Sequence, residues 1–143
     1  GLPSSPKIRQ RMEVPMAASF SDPVERLVSG PVVEAHTDDT LTRIAELMIE
    51  DSIGLVVIRD QNPIVGVVSE RDIVAAVADG VDFESERAAD VMAMDTVTID
   101  AASPISEART MMETGGMRHL PVLKEGKVIG VVSIRDLLGV VGD

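Results

Sequence analysis

The chain has 143 residues and a mass of 15.2 kDa, enough for one compact domain or two small repeats, and with 45% apolar residues but only two Phe and no Tyr or Trp its core must be aliphatic. A formal net charge of −11 with no aromatic stacking platform argues against nucleic acid and against an anionic membrane surface. The absence of Cys rules out disulfides, thiolate metal sites and a Cys nucleophile, and no apolar run reaches the ~18 residues of a membrane span.

A small anionic ligand stays admissible, because charges beyond ~8 Å are screened at physiological salt and local Arg residues decide. A Cys-free chain of this kind is compatible with a reducing compartment, and the cytoplasm is the expected location. The opening Gly-Leu-Pro-Ser-Ser-Pro lacks the pattern of a signal peptide. Residues 1–20 carry no periodicity and read as a flexible leader, with Met12 and Met16 as candidate starts.

Ser21-Asp22-Pro23 is a helix start, with Pro at the first helical position, and Gly30-Pro31 stops that helix. Residues 32–35 read as a short strand, and His36 falls in the loop after it. Leu41, Ile44, Ala45 and Met48 fall on one helical face. Residues 55–58 form a continuous apolar run, hence a buried strand. Asp60-Gln61-Asn62-Pro63 turns the chain into an antiparallel strand over 64–68. A helix follows Ser69, with Ile73, Val74 and Val77 as its apolar stripe, and Gly80 ends it.

From Glu84 the pattern restarts. It predicts a short helix over about 84–92 and a strand over 97–99. A helix opened by Ser103-Pro104 presents Ile105, Ala108, Met111 and Met112 and stops at Gly115-Gly116. Two strands over 120–123 and 128–132 flank a Glu125-Gly126 turn, and a last helix spans about 134–140.

Two heptapeptides organise these elements. Residues 66–72 read Gly-Val-Val-Ser-Glu-Arg-Asp and residues 130–136 read Gly-Val-Val-Ser-Ile-Arg-Asp, 64 positions apart and differing at one residue. Each takes an apolar strand into a Ser-x-x-Asp that opens a helix. Capping alone is one reading: Ser accepts from free helical N–H groups and Asp faces the positive end of the dipole. The other adds a ligand. An ionised Asp can accept from both hydroxyls of a ribose, while the helix start, the Ser hydroxyl and the Arg suit a phosphate.

The offset of 64 holds without a gap from about residue 24 to 78. The chain therefore reads as two copies of a β-α-β-β-α unit, an α/β chain of α+β type, each copy marginal alone and the two packed as one pseudo-symmetric module. The expected division is a leader at 1–20, a first repeat at 21–80 and a second at 81–143.

With Met117-Arg118-His119-Leu120-Pro121-Val122 added, the sequence resembles a tandem cystathionine-β-synthase (CBS) domain pair, or Bateman module, over residues ~22–141. The resemblance implies a regulatory module that needs no cofactor. Its clefts between the repeats take adenosine-containing ligands (AMP, ADP or ATP, and less readily S-adenosylmethionine). It also implies homodimerisation through helices. The family's ribose-binding Asp matches Asp72 and Asp136, its hydroxyl residue matches Ser69 and Ser133, and its phosphate-meeting basic pair matches Arg118 and His119.

One cleft would combine Ser69, Arg71 and Asp72 with Arg118, His119, Leu120 and Pro121, and with backbone around Met94, Thr96 and Val97 against adenine. The second would combine Ser133, Arg135 and Asp136 with residues 53–56 and backbone near 30–33. The repeat equivalents of Arg118 and His119 are Gly54 and Leu55, so unequal sites are expected, the Asp72 cleft being preferred by phosphorylated ligands.

Plainer readings stand beside these. Arg118 and His119 could be an exposed edge pair, Arg71 and Arg135 surface-paired, and Met111, Met112 and Met117 core fill. His36 has no partner in view, and Asp38-Asp39 and Glu84-x-Glu86 read as solvated helix-start charges rather than metal ligands. No catalytic or metal motif is present. The expected function is a non-enzymatic adenylate sensor acting on a separate, unidentified effector. The alternatives are a structural dimerisation module with vestigial clefts and, more remotely, a small-metabolite enzyme.

Overall fold

A computed structural model describes residues 17–28, 32–61, 64–94 and 97–142. The expected leader up to residue 16, the Gly30-Pro31 stop, the Asn62-Pro63 turn and Thr96 lie outside the described residues.

After a 3-10 turn at Val24–Leu27, the first repeat runs β1 (Glu34–His36), α1 (Leu41–Asp51), β2 (Leu55–Arg59), β3 (Ile64–Ser69) and α2 (Glu70–Ala78). The second runs α3 (Ala88–Val91), β4 (Ile99–Asp100), α4 (Ile105–Gly115), β5 (His119–Lys124), β6 (Lys127–Ser133) and a 3-10 helix at Ile134–Gly139. Each repeat builds a three-stranded sheet in sequence order, with the first two strands parallel and the last two antiparallel. Even the irregularities are duplicated: the register slips between Ile58 and Arg59 in one sheet and between Val122 and Leu123 in the other.

Helices α1 and α4 show why the offset is rigid. Each buries positions 1, 4 and 8 of its 11 residues: Leu41, Ile44 and Met48, or Ile105, Ala108 and Met112. This is the stripe that a 3.6-residue period lays against a sheet. Both end on a left-handed residue, Ser52 (φ 53°) in the first repeat and Gly116 (φ 74°) in the second, where glycine relieves the Cβ crowding.

Several expectations need correction. The turn at 24–27 and the final helix are 3-10 rather than α. His36 is the last residue of β1, not a loop residue. The helix expected over 84–92 is only the four residues of α3. In α2 the expected apolar stripe is not covered. Ala76 is the buried residue and Ile73 packs on the core, whereas Val74 is 66% exposed and Val77 64%.

The two cores exchange their leading segments. Val24, early in the chain, is fully buried among Ile99, Ile105, Ala108, Leu120 and Val132 of the second repeat. Its N–H donates to the Ser103 carbonyl at 2.7 Å. Residues 18–20 pair with Val141, and Arg109 stacks on the Phe20 ring at 4.2 Å. Conversely, Ala88 is fully buried among Ile44, Val56, Ile58 and Val68 of the first repeat, its N–H on the Asp39 carbonyl at 2.8 Å. Each core is thus completed by the other half's leading segment. Fully burying a Val adds about 1.5–3 kcal/mol, so neither half keeps its full core alone.

This exchange explains the glycine of each heptapeptide. A Cβ at Gly66 would come within 2.7 Å of the Ala93 carbonyl oxygen and 2.9 Å of Met92 Sδ. A Cβ at Gly130 would overlap the Val28 side chain. The strap leading into one repeat crosses the third strand of the other at its glycine, where only a bare Cα lets it pass.

Candidate functional site

Both Ser-x-x-Asp corners are closed capping boxes. Ser69 Oγ accepts from the Asp72 N–H at 3.2 Å, and Asp72 Oδ2 accepts from the Ser69 N–H at 2.8 Å and from Ser69 Oγ at 3.0 Å. In the second corner Asp136 Oδ2 accepts from the Ser133 N–H at 2.7 Å and from Ser133 Oγ at 3.1 Å. The same oxygen does the capping in both repeats. Oδ1 of each carboxylate has no hydrogen-bond partner among the described residues, and both side chains are half-buried. The cap itself is not diagnostic, since Asp90 caps Arg87 in the same way at 2.8 Å.

What separates the two corners from an ordinary cap is their surroundings. Immediately before the Asp72 corner, Val67 and Ala93 exchange backbone hydrogen bonds of 3.1 and 2.9 Å. An isolated antiparallel bridge thus joins the strap from the other half to β3 two residues before Ser69, and Met94 and Val97 are exposed. At the Asp136 corner Val28 lies over Gly130, while residues 29–31 fall outside the described part.

The basic pair stands where the repeats meet. Cα register places His119 opposite Ser133, as Leu55 lies opposite Ser69. The Ile134 N–H donates to the Arg118 carbonyl at 2.8 Å, and the Glu70 N–H to the Gly54 carbonyl at 3.0 Å, so the two seams are built alike. His119 reaches across to the first repeat: its Nε2 lies 3.0 Å from where a Cβ on Gly54 would stand, and Glu70 Oε1 crowds the same point. Burial holds the imidazole below the usual histidine range. The negative charges of Glu70 and Asp136 oppose this, and the Arg118 cation adds to it. A folded imidazole harder to protonate than an unfolded one costs the fold stability as pH drops below 6.5.

The remaining expected residues divide by exposure. Arg71, Arg118 and Arg135 are exposed, whereas Leu120 and Pro121 are buried, Leu120 with its side chain wholly inside the second core. Leu120 can therefore meet a ligand only through its backbone. The expected site residues do not include Glu70, which the structure brings to His119 over Gly54. The signal was its place as the one difference between the heptapeptides. No helix among the described residues is long and apolar enough to cross a membrane.

The family model for the CBS domain matches residues 24–79 and again 88–143. A 17.7 kDa protein of Acidianus ambivalens is 36% identical over 117 residues, covering 80% of this chain and 70% of that protein. A protein of Methanocaldococcus jannaschii is 37% identical over 119 residues, covering 82% and 61%. The chain spans 48% of another M. jannaschii protein, 24% identical over 136 residues, so it matches only part of several relatives.

Among solved structures, a CBS domain protein of Pyrobaculum aerophilum complexed with AMP superposes with a TM-score of 0.75 at 30% identity, covering 80% of this chain and 89% of that one. A CBS domain pair in complex with 5′-methylthioadenosine and S-adenosyl-L-methionine shares the fold, with a TM-score of 0.74 at 22% identity over 81% and 96% of the two chains. The duplicated corners, the exchanged straps and the matched repeats lead to one assignment: the chain belongs to the CBS domain family, as a tandem pair of its repeats.

Proposed function

We propose that this CBS pair is a regulatory module that binds an adenosine-containing ligand, with AMP, ADP or ATP as the expected class, at the seam between its repeats. The observation that carries the reading is the divided use of the corner carboxylates. Oδ2 of Asp72 and of Asp136 holds the helix cap, while Oδ1 of each half-buried residue has no hydrogen-bond partner among the described residues. A carboxylate oxygen with no donor among the described residues suits a sugar hydroxyl. The AMP-bound relative from P. aerophilum, 30% identical, supports the ligand class.

Asp72, with Ser69 and Arg71, serves ribose and phosphate in one cleft, with the backbone near Met94–Val97 against the base and the Arg118–His119 pair nearby. Asp136, Ser133 and Arg135 serve the second cleft. A ligand bridging both halves shifts the module toward one arrangement of the repeats only by its differential affinity. A separate effector protein reads that arrangement. The match to CBS repeats alone supports a binding role rather than catalysis.

Calorimetric titration with adenosine, AMP, ADP and ATP tests the reading directly. Arg118→Ala should weaken AMP and ATP by roughly tenfold, the worth of a charge-assisted hydrogen bond, and leave adenosine within about twofold. Equal losses for all ligands would remove Arg118 from the phosphate.

The module is also proposed to pair with a second copy through its helices. Ile49 (81% exposed) on α1, Val74 and Val77 on α2 and Leu138 (82% exposed) on the final 3-10 helix leave apolar side chains on helical surface. An open groove of about 390 Å³, lined by Thr42, Ala45, Ile49 and Phe83 with Glu46 and Glu50 at its rim, lies on α1. That groove includes none of the corner residues, which is compatible with a pairing surface apart from the ligand cleft. Sedimentation equilibrium should return twice the chain mass at micromolar concentration; a monomer mass across that range would remove this partner.

A further inference from the structure

The repeats are matched in backbone but crossed in charge. Where the second repeat enters β5 through Arg118 and His119, the first enters β2 through Gly54 and Leu55. Where the first repeat opens its helix with Glu70, the second uses Ile134. The acid of one repeat and the imidazole of the other converge on the bare Cα of Gly54, which any side chain would block. We infer that Glu70 is a specificity-determining residue that sets how much negative charge the inter-repeat site accepts, by standing as a built-in anion beside the His119 that, with Arg118, a phosphate would use. This rests on the proposed adenosyl site and names the feature that discriminates among its ligands.

The electrostatics follow from the groups that face His119. These are Glu70 from α2, Asp136 from the final 3-10 helix and Arg118 from the start of β5. Two carboxylates already surround the imidazole, so a phosphate dianion arriving at neutral pH meets like charge as well as the Arg118 cation. Protonation of His119 offsets that repulsion, and phosphate-bearing ligands bind more tightly as the solution is acidified. An uncharged adenosine feels none of this. A cationic adenosyl ligand such as a sulfonium is favoured by the same carboxylate. Repulsion between partly screened charges at such separations corresponds to a modest factor in affinity.

Glu70→Gln, and separately Glu70→Ile to copy the other heptapeptide, test this without touching the capping pair, since Glu70 is exposed and caps through neither side-chain oxygen. Calorimetry at pH 7.5 should show AMP binding tightened about threefold to tenfold by either variant, with adenosine changed less than twofold. Imidazole proton shifts should show the His119 titration midpoint falling in both variants, because a nearby negative charge that favoured protonation is gone. AMP binding to the wild-type chain with no change in either variant, or equal changes for AMP and adenosine, would overturn the role of Glu70 and leave the adenosyl site standing. Failure of the wild-type chain to bind either ligand would overturn both.

Discussion

Val24→Asp should cost roughly 3–5 kcal/mol of stability, and the loss of amide protection should concentrate in the second repeat although residue 24 lies at the head of the first. The side chain is fully buried among Ile99, Ile105, Ala108, Leu120 and Val132, with no buried polar or charged residue among the described residues. A carboxylate there has neither water nor a partner, and it must stay protonated or drive the segment out. Expulsion breaks the hydrogen bonds from the Val24 and Glu25 N–H groups to the Ser103 and Ala101 carbonyls. Small domains are stable by only about 5–15 kcal/mol, so this single change takes a large share. Hydrogen exchange should show α4, β5 and β6 opening first. Early opening of α1, β2 and β3 instead would mean that the leading segments are not exchanged as described.

Asp72→Ala should weaken ribonucleotide binding by roughly 1.5–3 kcal/mol, about tenfold to 150-fold, the worth of hydrogen bonds to a charged acceptor. It should also lower ligand-free stability by about 0.5–2 kcal/mol through loss of the cap. The two effects separate in Asp72→Asn. The amide has one acceptor oxygen, which can serve either the Ser69 N–H, now held at 2.8 Å by Oδ2, or a sugar hydroxyl, but not both at full strength. Ligand-free melting of the Asn variant should stay closer to wild type than that of the Ala variant, while its nucleotide affinity should fall nearly as far. An Asn variant with full affinity would show that Asp72 acts only as a cap. The same substitutions at Asp136 report on the second corner.

Much of this architecture was legible in the residues because the strongest signals are local. The spacing of Leu41, Ile44 and Met48, and of Ile105, Ala108 and Met112, states a helix and its buried face. The Ser-x-x-Asp pairs state a strand-to-helix corner, and capping boxes stand at both. What the residues could not state is which partner each apolar side chain meets. Val24 and Ala88 read as apolar positions near helix starts, and nothing in their spacing says that each completes the other repeat's core. The glycines of the heptapeptides carried a trace of this. Gly66 and Gly130 stand mid-strand, where glycine costs stability unless another backbone passes close by.

Charge neighbours across the seam were equally hidden, because Glu70 and His119 are far apart in the chain and meet only over Gly54. The exposed Val74 and Val77 show a third limit. Helical periodicity marks an apolar face, but not whether the chain itself or another molecule covers it.

Ribose recognition at these corners requires the second oxygen of each carboxylate to accept from a ribose hydroxyl. Calorimetric titration of the wild-type chain with AMP and with 2′-deoxy-AMP, at one pH and salt concentration, tests this most directly. AMP should bind about tenfold or more tightly, since the deoxy sugar cannot donate to that carboxylate oxygen. Equal dissociation constants for the two would contradict the claim.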